Sequence, residues 1–304
     1  MGRIEAISSG YAAKSMLDAC HVLHVHSAFA RVVNLLTSDD RLVSLSACDV
    51  SDFPANIRTR LHPQATFLSF GLSTRTTVGV AGGAIDLCGN SVVYGDAPVY
   101  IPAIHGFIPP AEKGSLRNAL LYLPRLAGLV REPRGLSRVI PLLCKGEPYA
   151  EHDFDDPLCQ LVWRLSSRLL SPTFALEELP DVLYPLIGRG PGLTPSGDDF
   201  IAGLLLTLHL GYRSLSLDSG ALATACGAVL SRAHATTRLS RDMLHYAGQG
   251  ELTHAAETAV LGSLDDSLYD MRLAAASMLS YGASSGLDQL AGIATGLRLI
   301  TQSI

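Results

Sequence analysis

The stretch FIAGLLLTLHL at residues 200–210 is apolar on nearly every face of a helix. Such a helix has no side to offer to water, so it belongs at the centre of a packed body. It is too short to span a bilayer, and it carries His209. Directly before it stands GRGPGLTPSGDD (188–199), with glycines at 188, 190, 192 and 197. Glycine accepts positive φ and lets a backbone come close to a ligand, so this segment reads as a tight bend that opens the central helix. Unpaired N–H groups and the positive end of the dipole make a helix start a natural anion site. Gly190, Gly192, Gly197 and the hydroxyls of Thr194 and Ser196 are therefore expected to bind a small anion. Asp198 and Asp199 lie at the same mouth and are the expected catalytic residues. They would hold Mg²⁺ against phosphate oxygens, accept hydrogen bonds from a substrate amide or carbamoyl NH₂, or supply a base. Capping is the competing explanation: Ser196 with Asp199 fits a capping box, and Thr194-Pro195 fits a cap followed by proline. It accounts for one hydroxyl and one carboxylate, but not for the glycines or the second acid.

The two halves of the chain differ in pattern. Up to residue 107, short β-branched runs alternate with turn residues. HVLHVHSAFARVVNLL and RLVSLSA flank Ser38-Asp39-Asp40 as a hairpin, and ATFLSF, TTVGVA, AIDLC, SVVYG and PVYIPAI follow as further strands. An antiparallel sheet or partly closed barrel is expected there. Residues 108–154 are rich in proline and read as a connecting region with one or two short helices. From 155 to 304 helical periodicity dominates, beginning with the stripe Leu158, Leu161, Val162, Leu165 and Leu169. Helices are expected near 174–187, 198–211, 218–233, 238–248, 251–262, 266–281 and 286–301. The fold class is thus α+β, a β-rich N-terminal domain packed on a helical bundle that carries the Gly190-to-Asp199 motif. No internal repeat is evident at this level.

Composition removes other classes. The 304 residues carry a net charge of −5 with scattered cations, so there is no basic stripe for nucleic acid. The six cysteines form no metal-type spacing and read as reduced thiols. The first residues lack the apolar core of a signal peptide, which points to a cytoplasmic protein without a membrane span.

The string GRGPGLTPSGDDFIAGLL closely resembles the signature of the AllH-like family. Weaker matches lie at Val33-Asn34-Leu35, at Thr236-Thr237 with Ser240, and at Ser285-Gly286 with Asp288 and Ala291-Gly292. The resemblance covers most of the chain, with residues 190–199 its specific part. It implies a subunit of the oxamate carbamoyltransferase assembly of allantoin catabolism and purine degradation. Such an assembly moves a carbamoyl group between carbamoyl phosphate and oxamate, with oxalurate on the other side. The implied partners are other carbamoyltransferase subunits and a small anionic substrate. No cofactor is assigned, and Mg²⁺ at Asp198 and Asp199 stays open.

Five further features bear on the reading. Thr236, Thr237 and Ser240 at a helix junction either cap a helix or line a polar pocket. Ser285 caps the last helix, with Asp288 near its start, and both join the site if that end faces the bend. His24 and His26 share a strand face without a third ligand. Ser73-Thr74-Arg75-Thr76 is similar to the carbamoyl-phosphate loop of aspartate and ornithine carbamoyltransferases, but it follows His62-Pro63-Gln64 instead of preceding it and reads as a turn. GASSG (282–286) fits a nucleophile-elbow pattern without a strand before it or a histidine after it. Two alternatives remain beside the transferase. One is a magnesium-dependent nucleotide-binding enzyme such as a small-molecule kinase, although no phosphate loop with lysine is present. The other is a non-catalytic subunit that senses a metabolite.

Overall fold

The computed structural model describes residues 2–62, 64–130, 132–145, 154–279 and 283–303. Two compact units divide the chain, Met1–Pro102 and Ala103–Ile304.

The first unit is a barrel. Its strands are β1 (Arg3–Gly10), β2 (Val22–Ala28), β3 (Val32–Leu36), β4 (Leu42–Ser46), β5 (Asn56–Thr59), β6 (Thr77–Ala81), β7 (Ala84–Leu87), β8 (Asn90–Val93) and β9 (Val99–Tyr100). They run in the order β5-β4-β3-β2-β6-β7-β8-β1-β9, and a further β5–β1 pairing closes the first eight into a ring. Closure removes the open edges that a sheet of this length would present. Most pairings are antiparallel, while β1–β8, β1–β9 and β4–β5 are parallel. Alternation decides which side chains fill the interior: Leu23, Val25, Val33, Leu35, Val43, Leu45, Val78, Ile85 and Val92 are all buried.

The hairpin turn at residues 37–41 forms as the sequence suggests, with Asp40 at φ 68°. Two expected strands do not hold. ATFLSF forms a 3₁₀ turn at Phe67–Phe70 that ends on Gly71 in the left-handed region. PVYIPAI keeps only the two residues of β9, because Pro98 and Pro102 supply no ladder donor. The run Arg3–Gly10 and helix α1 (Tyr11–Asp18), which the periodicity did not reveal, complete the unit. Helix α1 starts under the Pro54 carbonyl, which accepts from the Ala12 and Ala13 amides.

The second unit is helical: α2 (Lys113–Ala127), α3 (Ile140–Lys145), α4 (Pro157–Leu169), α5 (Leu179–Leu183), α6 (Ser196–Ser214), α7 (Ser219–Leu230), α8 (Arg238–Ala247), α9 (His254–Leu264), α10 (Leu268–Leu279) and α11 (Ser285–Gln302). Helices α2 and α3 fall in the proline-rich stretch and pack on each other and on α11. The single helix expected at 174–187 is instead α5 flanked by two 3₁₀ turns, because Pro180 and Pro185 interrupt the backbone ladder.

Helices α6 and α11 form the centre. Every residue of α6 from Ser196 to Leu208 is buried, as its composition demands. The two helices lie parallel and in register. A Cβ on Gly203 would run into the Gln289 carbonyl, and one on Gly292 into the Phe200 carbonyl. Further along, Gly296 faces Thr207 and Gly211 faces Ile300. These contacts expose a repeat that contradicts the expectation of none: SGDDFIAG at 196–203 and SGLDQLAG at 285–292. The first glycine of each copy abuts a carbonyl at or next to the end of the preceding helical element, Leu186 for Gly197 and Met278 for Gly286. Eight residues are too short to stand out by eye, and only the reciprocal packing gives the likeness its meaning.

Candidate functional site

The bend at 188–195 leads into α6 with Gly188 at φ 72°, Gly190 at φ 115° and Gly192 at φ 94°. The first two cannot carry a side chain for steric reasons as well: a Cβ on Gly188 would meet the Ala235 carbonyl at 2.9 Å, and one on Gly190 the Ser196 amide at 2.8 Å. Gly192 faces open space. The backbone from Arg189 to Leu193 is exposed, while Thr194 is half-buried.

Capping does not explain this bend. Helix α6 has Pro195 at its N-cap position with no side-chain cap, so neither the Thr194 cap nor the Ser196–Asp199 box forms. The Ser285 cap expected on α11 is absent too, since Ser284 occupies the N-cap without bonding through its side chain. Some of the first amides of α6 are used internally. Gly197 donates to the Arg189 carbonyl at 2.8 Å, and Asp198 and Asp199 donate to the Pro195 carbonyl. The amides of Gly190, Gly192, Leu193, Thr194 and Ser196 donate to no described residue.

The three acids near this point, Asp198, Asp199 and Asp288, are each 0% exposed. Successive helix residues point about 100° apart, so Asp198 and Asp199 face different neighbours. Asp198 is fully engaged. One oxygen accepts from the Gly188 amide at 2.9 Å and the other from the Thr236 hydroxyl. The buried Ser240 hydroxyl approaches the same carboxyl without closing a bond. Burial raises the Asp198 pKa, and these donors restrain the rise.

Asp199 accepts from Gln289 Nε2 at 3.1 Å through Oδ1, whereas Oδ2 has no partner. Burial, and secondarily the charge of Asp288, hold its carboxyl well above the usual range. The Thr194 and Ser285 hydroxyls approach it, but they are bonded to each other at 2.9 Å. Asp288 repeats the pattern on α11. Its Oδ1 accepts from the Leu136 amide at 2.7 Å, its Oδ2 has no partner, and burial raises its pKa. The Ser196 and Ser284 hydroxyls approach it. The copies thus cross over, with the serine of each helix start facing the aspartate of the other.

Thr237 has two functions. Its side chain caps α8 by accepting from the Ser240 amide at 3.1 Å and donates to the Leu193 carbonyl, fastening the bend from outside. Thr194, Ser196, Asp199, Ser285 and Asp288 therefore converge, with Gly190, Gly192 and Gly197 shaping the backbone, while Thr236, Thr237 and Ser240 brace the rear. Sequence reasoning missed Gln289 and the Leu136 amide. Gln289 was legible only through the repeat, and Leu136 only through Gly135, whose φ of 51° turns the next amide toward Asp288.

Among the described residues no group of three His, Cys, Asp or Glu could hold a metal ion. The Asp198 and Asp199 carboxyls do not converge on one point, since their oxygens go to separate partners. His24 is near Thr77 and His26 near Ser27. Residues 73–76 form an exposed turn before β6, with the Thr76 hydroxyl accepting from the Ser73 amide. Burial pushes the Cys144 and Cys226 thiols to about 12 and the Cys159 thiol to about 11, so these three are unreactive. Among the described residues no helix is long and apolar enough to cross a membrane.

No solved structure matches the chain. Residues 5–97, inside the barrel unit, match the AllH family N-terminal domain. Residues 186–297 match the family described as oxamate carbamoyltransferase subunit AllH, a span that opens at the carbonyl beneath Gly197 and runs through most of α11. With both units matched, the chain belongs to the AllH family.

Proposed function

We propose that this chain is a subunit of a carbamoyltransferase acting between carbamoyl phosphate and oxamate, and that the bend at 188–195 binds carbamoyl phosphate or a related small anion. The observation that carries the binding role is the set of five amides that donate to no described residue, those of Gly190, Gly192 and Leu193 in the exposed bend and of half-buried Thr194 and buried Ser196 at the helix start. Amides without a protein acceptor at a helix start suit phosphate oxygens, and the helix dipole adds to the attraction. Raised pKa values hold Asp199 and Asp288 toward their neutral forms, so these acids need not repel an anion.

In the transfer, the oxamate amide nitrogen bonds to the carbamoyl carbon and loses a proton. The bond from that carbon to the phosphate oxygen breaks, and its electron pair leaves with phosphate. Amides aimed at phosphate stabilise the charge that builds on it. Asp198 acts as a positioning residue that locks the bend, and Asp199 orients the Thr194 and Ser285 hydroxyls.

Calorimetry with inorganic phosphate tests the reading. The wild-type chain binds. Gly192→Ala, strained at φ 94° but free of clashes, weakens binding about tenfold. Equal affinity in the two proteins removes the bend as the site.

One observation favours a binding role without chemistry in this chain: all three acids are fully buried, so none touches a ligand on the bend. An assembled complex carrying Gly192→Ala that keeps turnover but loses its response to ligand would select that version.

A further inference from the structure

The duplicated segment does more than pack two helices. Parallel, in-register helices bring two positive dipole ends to one place, an arrangement that disfavours a cation and favours an anion. Two fully buried carboxyl oxygens, Asp199 Oδ2 and Asp288 Oδ2, lack partners there. A buried polar atom left unpaired costs about 1–3 kcal/mol, so two of them at one spot call for an explanation. A protonated acid can donate to a neighbouring hydroxyl oxygen, freeing that hydroxyl to donate outward. The neighbours are in place: Thr194 and Ser285 beside Asp199, and Ser196 and Ser284 beside Asp288. Thr194, Ser284 and Ser285 are half-buried and form the outer layer, over the buried Ser196 and the acids.

We infer that the start of α11 is the second half of a two-sided anion site, in which Ser284 and Ser285 touch the ligand and Asp288 positions Ser284. The ligand class is a small anion with acceptor oxygens at both ends, one end held by the bend before α6 and the other by the start of α11. This rests on the anion-binding reading of the bend and extends it to a second helix.

The test is calorimetry on the full chain with oxalate, which has two acceptor ends, and acetate, which has one. Oxalate binds at least about tenfold more tightly than acetate. The double variant Ser284→Ala/Ser285→Ala, checked for folding by circular dichroism, brings oxalate down to the acetate level. Wild-type oxalate binding falls as pH rises and Asp199 and Asp288 ionise, whereas Asp288→Asn removes its share of that fall and leaves the part due to Asp199, which a merely structural Asp288 would not do. If the double variant binds oxalate like the wild type while Gly192→Ala does not, the second half is overturned and the bend alone is the site. If neither variant changes binding, or wild-type protein binds no oxalate, this proposal falls. Retained phosphate binding at the bend would then separate its failure from that of the reading beneath it.

Discussion

The starts of α6 and α11 are built from the same eight-residue pattern, yet they are held by different parts of the chain. At α6 the third position is Asp198, which ties the Gly188 amide and the Thr236 hydroxyl and so fixes the bend. At α11 the same position is Leu287, buried and apolar. The fourth position is aspartate in both, but Asp199 reaches across to Gln289 of the partner helix, whereas Asp288 takes the Leu136 amide from the turn before α3. What the copies share is packing: the glycines, the crossed serines and the buried acid. What distinguishes them, among the described residues, is the exposed bend that leads into α6. The shared part is a scaffold, and the difference marks where ligand specificity is set.

The scaffold is where substitution acts most strongly. Gly203→Ala and Gly292→Ala each place a methyl group inside a carbonyl oxygen of the facing helix. Backbone cannot yield as a flexible side chain does, so each is expected to destabilise by more than about 3 kcal/mol in denaturant unfolding. Because the contacts are reciprocal, the two losses should match within about 1 kcal/mol. A tolerated Gly292→Ala beside a severe Gly203→Ala would break the equivalence of the two copies.

Asp198→Ala comes next. It leaves the Gly188 amide and the Thr236 hydroxyl without their acceptor, and a loss of about 2–3 kcal/mol is expected. Leu287→Ala at the matching position should cost a similar amount for a different reason, the cavity left in the core. Phosphate affinity separates them. Asp198→Ala lowers it by loosening the bend, and Leu287→Ala leaves it intact. Equal losses of affinity would mean that the third position has no special tie to the bend.

Much of this arrangement could be read from the sequence, and the reasons for the rest are physical. FIAGLLLTLHL announced a helix buried on all sides, and the spaced glycines announced the bend, because both are local properties. The β3–β4 hairpin was legible for the same reason, with Asp39-Asp40 in a short turn between two alternating runs. A partly closed barrel was among the readings, but the strand that closes it was not legible. Closure depends on β1, a strand of modest hydrophobicity, pairing with β5 and β8 at distant positions in the chain. The competing capping box does not form although Ser196 and Asp199 have its spacing, because Asp199 bonds Gln289 of α11 and Ser196 faces Asp288 instead. The repeat was overlooked because its two copies are 89 residues apart, as the hydrogen-bonded pairs Gln289–Asp199 and Thr194–Ser285 at 90 and 91 positions reflect. Nothing local marks Gly203 and Gly292 as partners.

The pH response sharpens the comparison with the smallest expected effect. Burial raises the folded-state pKa of Asp199 and Asp288 above the ordinary carboxyl value of 3.8. A carboxyl whose folded pKa exceeds its unfolded value gives stability that is complete below the unfolded pKa and is lost as pH rises through the folded one. Wild-type protein should therefore lose this contribution as pH rises from about 3.8 through the raised folded values. Asp199→Asn cannot ionise, so its stability relative to wild type should rise steadily across that window in denaturant titrations. Asp288→Asn should do the same and also lower the Asp199 pKa, since the Asp288 charge is one cause of its rise. The double variant should then gain less than the sum of the two singles, because part of the Asp199 penalty is the Asp288 charge, which either single variant already removes. Strict additivity would show that the two acids titrate independently, and the crossed helix starts would then be joined by packing alone.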